Sequence, residues 1–155
     1  MSLPVLAALL AVGCSKSANT SSTAAAPSGP REIDLTAGDT MKFNITQIDA
    51  KPGEALKVVL TNVGTQPITV MGHNWVLLKA GTDVAAFDAA GLQSKDTGYI
   101  PANLSSEMIA HIDLQGPRKS GEADFNAPTT PGDYPFLCTF PAHYQAGMKG
   151  TLTVK

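Results

Sequence analysis

Leu137-Cys138-Thr139-Phe140-Pro141-Ala142-His143-Tyr144-Gln145-Ala146-Gly147-Met148 lies between two runs, Tyr134 to Cys138 and Gly150 to Lys155, that read as β-strands. It sets a thiol, an imidazole and a thioether in one strand-to-strand loop. Outward from it, short runs of period-two alternation recur, the pattern of half-buried strands. Met41, Phe43 and Ile45 alternate with Lys42, Asn44 and Thr46, and Leu56, Val58 and Leu60 share one face of the next run, with Lys51-Pro52-Gly53 turning between them. Further strands are expected at Ile68 to Met71, Trp75 to Leu78, Ile109 to Leu114 and Glu122 to Asn126. One segment breaks the pattern: Thr82 and Asp83 can cap a short helix through Val84, Ala85, Ala86 and Phe87, and Gly91 can end it. Short strands separated by frequent turns, with 14 Gly and 11 Pro in the chain, predict an all-β fold. The expected form is a β-sandwich of about eight strands with one short helix in an insertion.

The chain has 155 residues, enough for one domain with short appendages. Such a domain buries about two thirds of its unfolded surface, so a hydrophobic core can hold it without a disulfide framework. Thirteen acidic against 11 basic residues give a formal charge of −2, which excludes electrostatic attraction to nucleic acid. Charged residues are 15% and apolar ones 43%, which excludes a wholly disordered chain.

The N-terminal thirty residues read differently. Leu3 to Val12 is almost wholly apolar but too short to span a bilayer as a helix. It reads as the core of an export signal over residues 1–13, and Leu10-Ala11-Val12-Gly13-Cys14 resembles a bacterial lipobox, with Cys14 as the lipidated residue. Residues 14–31, rich in Ser, Thr, Ala, Gly and Pro, are expected to form a lipid-anchored tether, leaving a folded domain at 32–155. Exported, periplasmic or cell-surface placement on a bacterial membrane follows from that reading.

Cys138, His143 and Met148 are soft or borderline ligands. Thiolate with imidazole favours copper or zinc, and two His with one Cys plus a weak axial Met suits an electron-transfer copper. The second imidazole must come from elsewhere. His73, in Val70-Met71-Gly72-His73-Asn74-Trp75, can be brought to the loop by a sandwich.

Met71-Gly72-His73-Asn74-Trp75-Val76-Leu77, Ile109-Ala110-His111, Cys138-Thr139-Phe140-Pro141 and Met148-Lys149-Gly150-Thr151-Leu152-Thr153-Val154 resemble the azurin-like members of the cupredoxin, or type 1 blue copper, family. The likeness runs from Glu32 to Lys155. Four residues between His143 and Met148, against azurin's three, is an auracyanin-like spacing; Ala142 stands where the family carries glycine, and azurin's disulfide pair is absent. The resemblance implies a Greek-key sandwich binding one copper, with His73, Cys138 and His143 equatorial, Met148 axial and the Gly72 carbonyl a weak further contact. It also implies that Asn74 braces the ligand loop and that the Phe140 N–H hydrogen-bonds the Cys138 sulfur.

The function implied is one-electron transfer between redox proteins, with no small-molecule substrate and no enzymatic step. His143 is expected to reach solvent as the electron port, ringed by Met71, Pro141 and Ala142, while His73 is expected to be buried beside Trp75. His111, sharing a strand face with Asp113, reads as a solvated surface residue. The competing function is a copper-trafficking or copper-buffering module using the same ligands. Cys138 as a nucleophile with His143 as its base is disfavoured, because no third orienting residue is evident.

Overall fold

The computed structural model describes residues 29–155. The expected signal, Cys14 and most of the expected tether lie outside the described residues. Among the described residues eight strands form two sheets, the expected number, although Arg31–Ala37 and Gln47–Ala50 are not among the expected runs. They are β1 (Arg31–Ala37), β2 (Gln47–Ala50), β3 (Ala55–Asn62), β4 (His73–Leu78), β5 (Met108–Gln115), β6 (Ser120–Asn126), β7 (Gly132–Leu137) and β8 (Lys149–Val154). One sheet has the order β1-β3-β6, the other β2-β8-β7-β4-β5. The β1–β3 and β2–β8 pairs are parallel and the rest antiparallel. Two α-helices, α1 (Ile68–Met71) and α2 (Val84–Leu92), and two 3-10 segments, Lys95–Thr97 and Ala102–Glu107, complete it. Among the described residues no helix is long and apolar enough to cross a membrane.

Alternation decides which side chains meet between the sheets. Leu56, Val58 and Leu60 of β3 point inward with Ile33 and Leu35 of β1, against Trp75, Leu77, Phe136 and Leu152 of the second sheet. Each fully buried Leu there contributes about 1.5–3 kcal/mol over an exposed one. Trp75 packs against Phe136 and Phe125, with ring centroids 5.8 and 6.0 Å away.

β4 does not alternate, because it is covered on both sides. Trp75 and Leu77 face the main core, whereas Val76 and Leu78 join Phe87, Ile100 and Leu137 in a smaller cluster beneath α2. Asp83 caps α2, its Oδ1 accepting the Ala86 N–H at 3.0 Å. The insertion therefore lays α2 over the outer face of the central strand.

Two expected strands are corrected. Ile68 to Met71 is a single helical turn, not a strand: Pro67 starts it, and its carbonyl accepts the N–H groups of Val70 and Met71. Its β-branched residues suggest a strand, but no sheet partner lies there. The run around Met41, Phe43 and Ile45 makes only one bridge, Phe43 to Ala37. Met41 sits in a left-handed turn at φ 54°, and the Asn44 side chain takes the Thr36 N–H at 2.7 Å, replacing a ladder bond.

Candidate metal centre

The site joins the beginning of β4 to the loop between β7 and β8. His73 opens β4 one residue after α1, with Gly72 between them, and Cys138 follows the last residue of β7. These strands pair only at Val76–Leu137 and Leu77–Phe136, so the splayed ends leave room between His73 and Cys138. Gly72 makes the approach possible. A Cβ there would come within 2.7 Å of the Ile68 carbonyl and 2.9 Å of the Leu114 side chain.

The donor atoms of His73, Cys138 and His143 lie within 4.8 Å of one another, and all three residues are buried. His143 turns Nδ1 toward the Cys138 sulfur at 3.4 Å. The two imidazoles lie with ring centroids 4.9 Å apart, tilted by 37°. Neither His73 nitrogen makes a hydrogen bond of good geometry, the Gly38 backbone being its only hydrogen-bonding neighbour of note among the described residues. Ring nitrogens so poorly paired in a sealed site are costly unless a further group takes one of them. Met148, wholly buried, ends the same loop, with its carbonyl accepting the Cys138 N–H at 3.1 Å.

Burial sets the protonation states. It lowers the pKa of His73, an effect that the nearby Gly38 backbone and the Asp39 carboxylate partly offset. It brings His143 down to about 4, helped by repulsion from His73. Both rings are therefore neutral at pH 7, the form that offers a nitrogen lone pair to a metal. Burial pushes the Cys138 thiol up to about 12, while the backbone N–H groups of Phe140 and Asn74 favour the thiolate and Asp88 opposes it. A thiol so reluctant to ionise in the metal-free protein deprotonates when a cation supplies the compensating charge. One sulfur, two neutral imidazoles and a buried thioether fit copper; structural zinc prefers four firm ligands.

Asn74 ties the two halves of the site together. Its Oδ1 accepts the Thr139 N–H at 2.9 Å, and its Nδ2 donates to Thr139 Oγ1 at 2.8 Å and to the Gly98 carbonyl at 2.9 Å. Thr139 Oγ1 spends its own proton on the Tyr99 carbonyl at 2.6 Å, so the orientation of the Asn74 amide is forced. Thr139 and Tyr99 are contributors that sequence reasoning missed. Position beside Cys138 was the one signal for Thr139, and nothing local marked Tyr99.

The expectation that His143 reaches solvent is corrected. His143 is 1% exposed, hardly more than His73 at 0%. The Phe140 ring packs on it at 4.7 Å between centroids, and Tyr99 packs edge-on against Phe140 at 5.1 Å. Ala142 is exposed, whereas Pro141 and Met71 are half-buried. Ala142 has φ 70°, the left-handed region that favours glycine. His111 lies on the surface, its Nε2 3.5 Å from Asp113 Oδ1 and remote in role from the buried cluster.

Residues 31–155 match the family described as copper binding proteins, plastocyanin/azurin family. The chain belongs to this family. It is 34% identical to auracyanin-B of Chloroflexus aurantiacus over 119 residues, 76% of this chain and 49% of that protein, so it spans about half of that relative's length. It is 38% identical to azurin of Pseudomonas aeruginosa over 127 residues, covering 79% of this chain and 84% of azurin. Among solved structures, reduced auracyanin from Roseiflexus castenholzii superposes with a TM-score of 0.72 at 33% identity, over 82% of this chain and 98% of that one. Family membership and the His–Cys–His cluster together point to copper-based electron transfer and away from an enzyme.

Proposed function

We propose that the protein carries single electrons between redox proteins through one type 1 copper. Cys138, His73 and His143 would hold the metal as strong donors, with the Met148 thioether and the Gly72 carbonyl as weaker ones. The observation that supports this above all is the sealed convergence of one sulfur and two neutral imidazoles, with neither His73 nitrogen well hydrogen-bonded. Bound there, copper supplies a Cu(II)/Cu(I) couple.

The chain's residues do the rest. Asn74 and Thr139 hold the two ligand-bearing segments at fixed separation. Complete burial of Cys138 and Met148 and near-complete burial of His143 keep water from the site, so little solvent has to reorganise around a changing charge. Ligands held alike in both oxidation states keep the barrier to electron transfer low. Copper trafficking is not favoured, because a delivery site must expose its ligands to a receiver.

Electrons enter where the ligand loop meets the surface next to His143, at the exposed Ala142 and half-buried Pro141, with the half-buried Met71 on the turn before His73. Ile68 and Val70, on the turn that delivers His73, are also exposed, at 39% and 55%. An apolar surface of this kind suits brief docking by a redox protein. The N-terminal motif supports export and anchoring through lipid on Cys14, and the intact mass of membrane-extracted protein tests that reading: the unmodified mass from Cys14 would reject it. For the copper site, the deciding experiment is a visible absorption spectrum of copper-loaded protein beside Cys138→Ser. Parent protein should show an intense thiolate-to-copper band that the variant lacks; a colourless parent would refute the proposal.

A further inference from the structure

The loop from His143 to Met148 is held at three consecutive residues. Tyr144 packs into the cluster of Val76, Leu78, Phe87, Ile100 and Leu137 beneath α2. Gln145 Nε2 donates to Asp88 Oδ2 at 2.6 Å. The Ala146 carbonyl accepts from the Lys42 ammonium. Of these three anchors, the Asp88 contact is the hardest to explain by stability.

Asp88 lies in the middle of α2, is 2% exposed, and leaves Oδ1 with no partner. An apolar residue at that position would avoid burying an incompletely paired carboxyl. α2 is itself firmly seated. Phe87 fills the cluster below it, and Gly91 presses so close that a Cβ would come within 2.8 Å of the Tyr99 carbonyl and 3.1 Å of Thr139 Cβ. Asp88 thus projects from a rigid platform that also contacts the residue following Cys138.

We infer that Asp88 and Gln145 form a latch that positions the ligand loop, holding the chain between His143 and Met148 in the course that keeps both ligands at the site. Four intervening residues give this segment freedom to shift. Its internal bonds, Ala146 N–H to the Ala142 carbonyl and Met148 N–H to the His143 carbonyl, both 2.9 Å, fix the turn but not its placement over the sandwich. Alongside the Tyr144 and Ala146 anchors, Asp88 sets that placement by tying the middle of the turn to α2. Asp88 is a positioning residue; it touches no ligand.

The latch rests on the copper reading, and one series of variants separates the two. If the parent chain fails to form a blue copper site, the copper reading fails. If the parent is blue, Gln145→Ala and Asp88→Ala should each speed copper loss to a chelator, on the order of tenfold, the lower end of the effect of removing a ligand's outer support. Both should alter the visible spectrum in the same sense, and the double variant should do no more than either single one. Asp88→Asn, whose side-chain oxygen still accepts from Gln145, should retain the parent spectrum. In metal-free protein, amide exchange at Ala146 and Met148 should quicken in Gln145→Ala. Gln145 is largely on the surface, so this variant keeps its core even if Asp88→Ala does not fold. A Gln145→Ala protein with parental spectrum, copper retention and amide exchange would overturn the latch, as would additive effects in the double variant.

Discussion

Replacing Asn74 by Ala tests how the ligand segments are held, and the cost can be worked from its contacts. Three hydrogen bonds vanish, to Gly98, Thr139 Oγ1 and Thr139 N–H, at 2.8–2.9 Å. Each contributes about 0.5–1.5 kcal/mol net, and the buried Thr139 N–H, left unpartnered, adds a penalty of about 1–3 kcal/mol. Thr139 Oγ1 is partly spared because its bond to Tyr99 remains. The expected loss is about 3–5 kcal/mol, a large share of a typical domain stability of about 5–15 kcal/mol.

Urea unfolding of the metal-free protein measures this directly. With a slope near 2 kcal/mol per molar, the midpoint should fall by about 2 M. Asn74→Asp sharpens the test. It keeps an acceptor for Thr139 N–H but sets a second carboxylate oxygen against the Gly98 carbonyl, so it should be less stable at neutral pH than at acid pH, where the protonated group regains a donor. A loss below about 1 kcal/mol in Asn74→Ala, with unchanged copper retention, would refute the bridging role.

Met148→Leu should keep the blue colour and raise the reduction potential, because losing a weak axial donor disfavours Cu(II) more than Cu(I); voltammetry checks it, and an unchanged potential would remove Met148 from the site. Ala142→Gly should stabilise the metal-free protein by about 1 kcal/mol in the same urea assay, since Ala142 occupies the left-handed region at φ 70°. Burial raises the Asp88 pKa, so its contribution to stability is greatest below the ordinary carboxylate value and is lost as pH rises through the raised folded value. Asp88→Asn should flatten that part of the stability–pH curve, and an identical curve would show that Asp88 titrates normally. Ala142→Glu or Met71→Lys should slow electron self-exchange at fixed ionic strength with little change in spectrum, whereas Asp113→Lys beside His111 should not; equal slowing by all three would move the port elsewhere.

The fold was legible wherever one sheet face is buried. Leu56, Val58 and Leu60 alternate because β3 has one wet side, and the start of the helix at Val84 was marked by Asp83 ahead of it, whereas Gly91, expected to end the helix, lies inside it and Gln93 is the cap. Reading failed where local pattern and tertiary pairing disagree. Ile68-Thr69-Val70-Met71 has strand composition, but Pro67 and the absence of a neighbouring strand leave a helical turn. The candidate site was legible through residue chemistry, since Cys, His and Met are an unusual set for one loop. Its supports were not. Thr139, Tyr99, Asp88 and Gln145 are ordinary residue types whose roles depend on partners 40 to 65 positions away.

The burial of His143 shows why spacing alone could not assign its exposure. Pro141 and Ala142 do lie at the surface, as a loop between strands requires, but Phe140 returns inward and places its ring against the imidazole. Tyr99, from the insertion that carries α2, then packs on Phe140 and offers its carbonyl to Thr139. The insertion therefore reaches the site twice, once through Tyr99 on Phe140 and Thr139 and once through Asp88 on Gln145. A segment that looks in sequence like an interruption of the sandwich grips both sides of His143. Loosening it should disturb the redox centre before it disturbs the two sheets, because the main core of Leu35, Leu56, Trp75 and Phe136 does not depend on α2.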